Sequence, residues 1–459
     1  MKNEFKNKKV VIMGLGGYGD GSGISATLFF AQAGARVLVT DMKKKEELKH
    51  QIKKLNKFKN IKYVFGRHRE SNFQKADLIF QNPLVPDSSL YLKIARKNNI
   101  PIVNDWSLFL NKHHNFLIGI TGSKGKSTTT SLIYELIKKK NKAILCGNIG
   151  VSPLKYMDSI KKDDVVVAEF SSWLLRGLLP VRKCPNIAVI TNLKSDHLDK
   201  YKSLEDYHND KKIIFKFQRP QDIVILNRDD ERSKWLSENI KSKVFWFSKK
   251  IFSGKGGVFI RGEDVIFKKE GKEEKVAKIS DIQIPGDHNL ENILAGVCVA
   301  KIFGVKNSDI KKTLIQFKGL PNRLELVREI KGVKYYNDTT ATNPDGAVSA
   351  LKAFKSKKKR IVLIAGGVDK NLDYKEFAKI IKREVKELIF FPGTATDKIL
   401  REVNVHHSVM HKMSEAVHLA EGLAKKGDIV LLSPGAASFG LFKNEFDRGK
   451  QFVREVKKL

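Results

Sequence analysis

Cysteine is nearly absent: Cys146, Cys184 and Cys298 are the three in a chain of 459 residues. They stand far apart and are odd in number, which argues against a disulfide framework and fits a reducing, cytoplasmic location. Long apolar runs are also absent, and none reaches the ~18 residues a membrane helix needs. The start of the chain is basic and then apolar at Val10–Leu15, but that stretch is short and runs into glycines. A first β-strand is therefore expected there, not a secretory leader. No repeat with a period of about 20–50 residues is evident, and no low-complexity linker interrupts the chain. Disorder, collagen and a disulfide miniprotein are excluded by a hydrophobic fraction of 41%, enough for several cores. At roughly 150 residues per domain the length suggests about three domains.

Negative charge is scarce. Fifty acidic residues stand against 86 basic ones, a net charge of +36. Such an excess suits a nucleic-acid or anionic-membrane binder, or a lysine-rich enzyme with anionic substrates. The lysines are spread along the chain in short clusters such as Lys43–Lys45 and Lys138–Lys140. No cluster alternates with aromatics as a base-stacking platform would, which favours the enzyme.

Short β-branched runs, turns rich in Gly, Asn or Asp, and helical patterns alternate, the signature of α/β layers on parallel sheets. Three blocks emerge. The first opens with a strand at Lys9–Met13, a glycine loop, a helix around Ile24–Ala33 and a strand at Arg36–Asp41. The second opens with a strand at Phe116–Ile120, and its Lys241–Ile266 stretch suggests edge hairpins. The third begins near Leu320 and holds strands at Lys334–Tyr336, Arg360–Ile364, Leu388–Phe391 and Ile429–Leu432.

The strongest chemical signal lies in Thr121, Gly122, Ser123, Lys124, Gly125, Lys126, Ser127 and Thr128. An apolar strand enters this small-residue loop, and a helix expected from Thr129 leaves it. Backbone N–H groups in such a loop cradle phosphate oxygens. Lys126 would reach the terminal phosphates, and Ser127 or Thr128 would face Mg²⁺. The next strand ends at Glu169, a carboxylate at a parallel strand's C-terminal tip and so a candidate magnesium ligand. Another strand leads to Asp196, His197 and Asp199, with His197 a metal ligand or positioner. A helix over Ser203–Phe217 carries Lys211 and Lys212, on their face two exposed lysines.

The N-terminal loop at Gly14, Leu15, Gly16 and Gly19, with Asp41 closing the second strand, fits a dinucleotide fingerprint. The loop runs on through Asp20–Gly23, and any nucleotide diphosphate could use its N–H groups. In the third block, polar groups follow three strands: Asn337–Asn343, Gly366–Lys370 and Ser433–Ser438. Each alone would serve as a helix cap; together they suggest a substrate pocket.

At these positions the chain resembles the Mur ligase family of peptidoglycan precursor synthesis, along its whole length. The carriers are Thr121–Thr128, Gly147–Gly150 with Asn148, Glu169–Ser172, Asp196–Asp199, Gly286–Asn289 with Asn292, Asn322–Glu325, and Asn337 with Asp338. The length, Leu432–Ser438 and Phe442–Asn444 are similar to the D-glutamate-adding members. The resemblance implies an α/β fold of three domains. These are a Rossmann-like UDP-substrate domain over 1–111, a central P-loop-type ATPase domain with a parallel sheet over 112–319, and a Rossmann-like amino-acid domain over 320–459.

It further implies an ATP-dependent amide ligase that adds D-glutamate to UDP-N-acetylmuramoyl-L-alanine through an acyl phosphate. ATP and two Mg²⁺ ions would be used, and neither nucleic acid nor membrane would be a partner. The expected state is a monomer. By position, Lys126 and Ser127 would hold phosphates and magnesium, and Glu169 and His197 would serve the metal sites. Lys211 matches the family's carbamylated lysine. Asn289 and Asn292 would face adenine, and Arg323 and Asp338 the ATP phosphates and ribose. Leu15, Gly16, Asp41 and Asn82 would line the UDP site, and Asn148 would sit between triphosphate and substrate. Thr342, Lys370, Ser438 and Phe442 would line the amino-acid site.

One departure bears on specificity: Thr340 stands where the family pattern has a lysine, leaving L-glutamate or another amino acid as an alternative. A nucleic-acid-stimulated ATPase and a nicotinamide oxidoreductase are the rival classes. The latter would leave the Lys126 loop idle.

Overall fold

In the computed structural model, residues 4–16, 21–194, 203–354, 359–403 and 405–459 are described. Three parallel-rich sheets make a three-domain α/β fold. In the first, β1 (Lys9–Met13), β2 (Arg36–Asp41), β3 (Ile61–Phe65), β4 (Leu78–Gln81) and β5 (Ile102–Val103) run in the order β3-β2-β1-β4-β5. Each of its strand pairs is parallel. Its three central strands, β2, β1 and β4, bury both faces, as a sheet covered by helices on both sides demands.

The second sheet holds nine strands. They are β6 (Leu117–Thr121), β7 (Ala143–Gly147), β8 (Val165–Glu169), β9 (Ile187–Ile190), β10 (Ile223–Asn227), β11 (Lys243–Ser248), β12 (Gly256–Arg261), β13 (Asp264–Lys269) and β14 (Lys272–Lys278). The order is β14-β13-β12-β11-β10-β9-β6-β8-β7. The expected hairpins therefore start later than Lys241. Val244–Phe247 is apolar enough to extend the main sheet, so β11 lies parallel to β10 and also to β12. The antiparallel turn comes only between β12 and β13.

The third sheet contains β15 (Glu325–Ile330), β16 (Val333–Asn337), β17 (Ile361–Gly366), β18 (Val385–Phe391), β19 (Ser408–Val409) and β20 (Ile429–Leu432). They run in the order β15-β16-β20-β17-β18-β19, with β15 antiparallel to β16.

The chain divides into two compact units, Met1–Ala277 with Glu291–Ile310, and Lys278–Leu290 with Lys311–Leu459. The first unit holds the first two sheets, which share one apolar core running from Val10 and Phe30 through Trp106 to Val166 and Phe170. The second unit is built on both faces of the third sheet, with separate apolar clusters around Leu363 and Ile364. No helix among the described residues is long and apolar enough to cross a membrane.

Two helices differ from expectation. The helix after the phosphate loop begins at Lys126 and not Thr129, because Gly125 takes a left-handed conformation (φ +84°) and starts the turn there. The helix expected over Ser203–Phe217 spans Leu204–Lys212. Beyond it, Ile213, Ile214 and Phe215 bond three residues back, at 3.3, 3.2 and 3.1 Å. These β-branched and aromatic residues tighten the chain into short turns.

Candidate active site

The glycine loop leaves β6 against the C-terminal end of β9. A Cβ on Gly122 would lie 2.0 Å from Thr191 Oγ1, and one on Gly125 would lie 2.1 Å from Asn292 Oδ1. Both positions admit glycine alone, and at both φ is positive. Thr191 and Asn192 pin the loop. Thr191 Oγ1 donates to the Lys124 carbonyl at 2.6 Å. The Ser123 amide donates to Asn192 O at 2.9 Å, and the Lys124 amide to Asn192 Oδ1 at 2.9 Å. The cradle expected from the whole loop is thereby narrowed: the Ser123 and Lys124 amides already have protein acceptors. The helix Lys126–Ile137 begins directly behind them, and the first N–H groups of a helix lack intrahelical acceptors, which suits an anion. Ser127 and Thr128, both half-buried, belong to that first turn. Sequence reasoning missed Thr191 and Asn192; their place at the end of β9 is the signal that could have found them.

The Lys126 ammonium folds back over the loop, donating to the carbonyls of Gly122 at 3.0 Å and Ser123 at 2.9 Å. Lys211 is not the exposed lysine its helix suggested. It is 1% exposed, and its ammonium donates to the same Gly122 carbonyl at 2.9 Å. It also lies 4.4 Å from the centre of the Tyr207 ring. The two lysines thus gather on one carbonyl at the loop's mouth.

Glu169 closes β8, directly beside β6, with Ile120 opposite it in register. It is 1% exposed. Its Oε1 accepts the Asn148 side-chain amide at 3.0 Å, while Oε2 is buried without a hydrogen-bond partner among the described residues. A buried carboxylate oxygen left unpaired is costly. A hard cation that prefers oxygen donors fits that vacancy in the bonding pattern. Asn148 is held in turn, its amide donating to Glu169 O at 2.8 Å. His197 lies outside the described residues. Among them, no group of three or more His, Cys, Asp or Glu could hold a metal ion.

Asn292 sits on the helix Asp287–Phe303 and accepts the Thr129 hydroxyl at 3.3 Å, so it touches the phosphate-loop helix. Asn289 instead donates to the Pro285 carbonyl of its own turn at 2.7 Å.

The four residues expected at the UDP site are gathered at one end of the first sheet. Asp41 Oδ2 accepts the Leu15 amide at 2.8 Å and Oδ1 the Lys43 amide at 2.9 Å. Asn82 donates to the Gly14 carbonyl at 3.1 Å. Gly14 and Gly16 both have positive φ, so the loop needs its glycines. The Leu15 side chain is buried in the core, leaving its backbone as the part that can meet a ligand.

In the second unit, Asp338 is buried. Its Oδ1 accepts the Leu324 amide at 3.1 Å and its Oδ2 the Ser433 hydroxyl at 2.8 Å. Burial pushes its carboxyl up to about 7, against the pull of Ser433, Leu324 and the Arg323 charge. Arg323 and Lys370 are exposed, Thr342 is half-buried and Ser438 is buried. The Thr340 hydroxyl donates to the Asn322 carbonyl at 2.8 Å. Phe442, expected to line the amino-acid site, is buried. Its ring packs edge-on against Phe391 at 5.1 Å within the apolar core, where burying an aromatic ring is most favourable. Arg448, which sequence reading did not single out as a site residue, is 1% exposed. It ties Thr339 to the Ser433–Ser438 turn through the Thr339 carbonyl at 2.9 Å and the Ala436 carbonyl at 3.3 Å.

With this geometry in hand, similarity to known proteins can be weighed. Residues 8–104 match the family described as Mur ligase MurD-like, N-terminal domain. Residues 120–300 match Mur ligase middle domain, and residues 322–435 match Mur ligase, glutamate ligase domain. A relative from Roseiflexus sp. (strain RS-1), named UDP-N-acetylmuramoylalanine--D-glutamate ligase, is 37% identical over 467 residues, covering 99% of each chain. One of the same name from Borreliella burgdorferi is 37% identical, covering 100% of this chain and 99% of its own. The fold is similar to that of the MurF ligase from Thermotoga maritima in complex with ADP. The TM-score is 0.60 at 18% identity, covering 100% of this chain and 97% of that one. It is also similar to a pseudomurein peptide ligase type C from Methanothermus fervidus, with a TM-score of 0.57 at 20% identity, covering 98% and 100%. Matched in all three of its domains and by relatives along its full length, the chain belongs to the Mur ligase family.

Proposed function

We propose that the chain is an ATP-dependent ligase that joins D-glutamate to UDP-N-acetylmuramoyl-L-alanine in peptidoglycan precursor synthesis. The observation that carries the reading is the convergence of Lys126 and Lys211 on the Gly122 carbonyl, at the mouth of a loop that admits glycine alone. The names of the full-length relatives support the choice of substrates. In this reading residues 1–111 bind the UDP-sugar substrate, 112–319 bind ATP and 320–459 bind the amino acid. The enzyme acts in the cytoplasm as a monomer, without nucleic acid or membrane.

Amide formation needs an activated acyl group. A carboxylate oxygen of the UDP substrate attacks the γ-phosphorus of ATP, ADP leaves, and an acyl phosphate forms. The glutamate amine then attacks the acyl carbon, phosphate leaves, and the amine gives up a proton. Lys126 and the first helical turn position and neutralise the transferring phosphoryl group, which is most of what such a reaction asks of a protein. Asn148 orients Glu169. Ser127, Glu169, His197 and a carbamate on Lys211 would hold magnesium, which when bound spreads charge off the phosphate oxygens.

The carbamate has a physical motive. Two ammonium groups sharing one carbonyl repel each other by a few kcal/mol at an effective dielectric of about 20. Addition of CO₂ to Lys211 replaces one of those positive charges with a negative one.

Phosphate release with UDP-N-acetylmuramoyl-L-alanine and ATP is expected with D-glutamate, and at least about a hundredfold slower with L-glutamate or other amino acids. Equal rates with both glutamate enantiomers would defeat the assignment of the amino acid. Release stimulated by nucleic acid and indifferent to amino acids would favour the rival ATPase.

A further inference from the structure

Asp105 is 1% exposed, and the chemistry above gives it no task. It is the first residue of the helix Asp105–Lys112, where the helix N-terminus favours a carboxylate. Its two oxygens are held from two directions. Oδ2 accepts the hydroxyl of Ser22, which opens the helix Ser22–Gln32 behind the N-terminal glycine loop. Oδ1 accepts the hydroxyl of Ser152, which follows the Asn148 turn. The Ser152 Oγ also accepts the Leu154 amide at 3.2 Å, a second bond that helps to hold the hydroxyl as it donates to Asp105. Burial pushes the Asp105 carboxyl up, while both hydroxyls and its own amide pull it down.

Each serine is tightly joined to its own loop. A Cβ on Gly23, next to Ser22, would lie 2.3 Å from the Gly14 carbonyl, so the helix start and the glycine loop are in close contact. On the other side, the Gly147 amide donates to Val151 O at 2.7 Å, and Asn148 donates to Glu169 Oε1 at 3.0 Å. The helix carrying Asp105 is itself anchored beside Glu169, with the Trp106 ring tilted against Phe170 at 4.5 Å between centroids.

Resting on the function proposed above, we propose that Asp105 is a positioning residue. Its carboxylate bridges Ser22 and Ser152 and so fixes the spacing between the loop for the diphosphate end of the acceptor substrate and the Asn148–Glu169 turn at its reacting carboxylate. One long substrate must touch both places, and a small error in their spacing is costly to rate and binding. Because both hydroxyls meet on one carboxylate, loss of either breaks the same link.

Ser22→Ala, Ser152→Ala and the double variant, each in the full chain, test this. The KM for UDP-N-acetylmuramoyl-L-alanine is expected to rise about tenfold in each single variant and about tenfold, not a hundredfold, in the double. The KM for ATP is expected to stay within about twofold. Multiplied effects in the double variant, or a fall in thermal stability with KM unchanged, would overturn the proposal. Amide hydrogen exchange without any substrate gives a second arm. Ser22→Ala is expected to loosen residues 147–152, and Ser152→Ala to loosen residues 14–16 and 22–25, with other segments unchanged. Loosening confined to each serine's own loop would overturn it as well. If the unmodified enzyme turned over no UDP-N-acetylmuramoyl-L-alanine, the ligase reading would fail, and the exchange arm would still decide on the link.

Discussion

Lys126→Ala is expected to lower ATP-dependent phosphate release by about a thousandfold, or ~4 kcal/mol in the barrier. The reason lies in what phosphoryl transfer requires. Little covalent chemistry is left to the protein, so placement of positive charge against the transferring oxygens carries most of the acceleration. Lys126 is the first residue of the helix behind the loop, and two carbonyls hold its ammonium at 3.0 and 2.9 Å. The charge is thus stationed at the mouth of the cradle before any phosphate arrives. Lys126→Arg keeps the charge but presents a planar fork in place of a compact ammonium, and should recover only a small part of the loss. The side chain is half-buried and sits outside the apolar core, so the unfolding temperature should move little. Single-turnover phosphate release checks this; residual activity within tenfold of the original would remove Lys126 from the chemistry.

Lys211→Ala is expected to cost about a hundredfold to a thousandfold in the same assay. Its nitrogen is buried, bonded to Gly122 O at 2.9 Å and stacked over Tyr207. Truncation leaves a space beside the Gly122 carbonyl that a small carboxylate can enter, standing in for the carbamate. Added acetate or formate should therefore restore part of the activity in this variant and leave the original enzyme unchanged. Lys211→Met, which keeps the stem and lacks the nitrogen, should be equally slow but not rescued, since the space is filled. Activity undiminished in Lys211→Ala would rule out both the carbamate and the charge argument.

The geometry of the glycine loop was readable from sequence because it is set by the backbone. Gly122 and Gly125 occur where no side chain fits, so the loop announces itself in composition. The place of Glu169 was readable because a strand of four apolar residues ends on it. Lys211 was not, because Leu204–Lys212 is a polar helix with two adjacent lysines. What buries one of them is a carbonyl 89 residues earlier in the chain, and helical periodicity carries no trace of such a contact. The same holds for Asp338, whose bond to Ser433 spans 95 residues, and for Asp105, which reads locally as an ordinary acidic first-turn residue. The packing of Phe442 was not legible for a related reason. An aromatic near a polar strand end suits a pocket and a core equally, and its contact with Phe391 is one that sequence does not show.

Oxygen transfer tests the central claim most directly. If a carboxylate of UDP-N-acetylmuramoyl-L-alanine attacks ATP and is then displaced by an amine, one of its oxygens must leave on phosphate. With both carboxylate oxygens replaced by the heavy isotope, and with ATP and D-glutamate present, mass spectrometry of the released phosphate is expected to show one heavy oxygen per phosphate, with the amide product retaining the other. Unlabelled phosphate accompanying the same amide product would mean that no acyl phosphate forms, and would contradict the account.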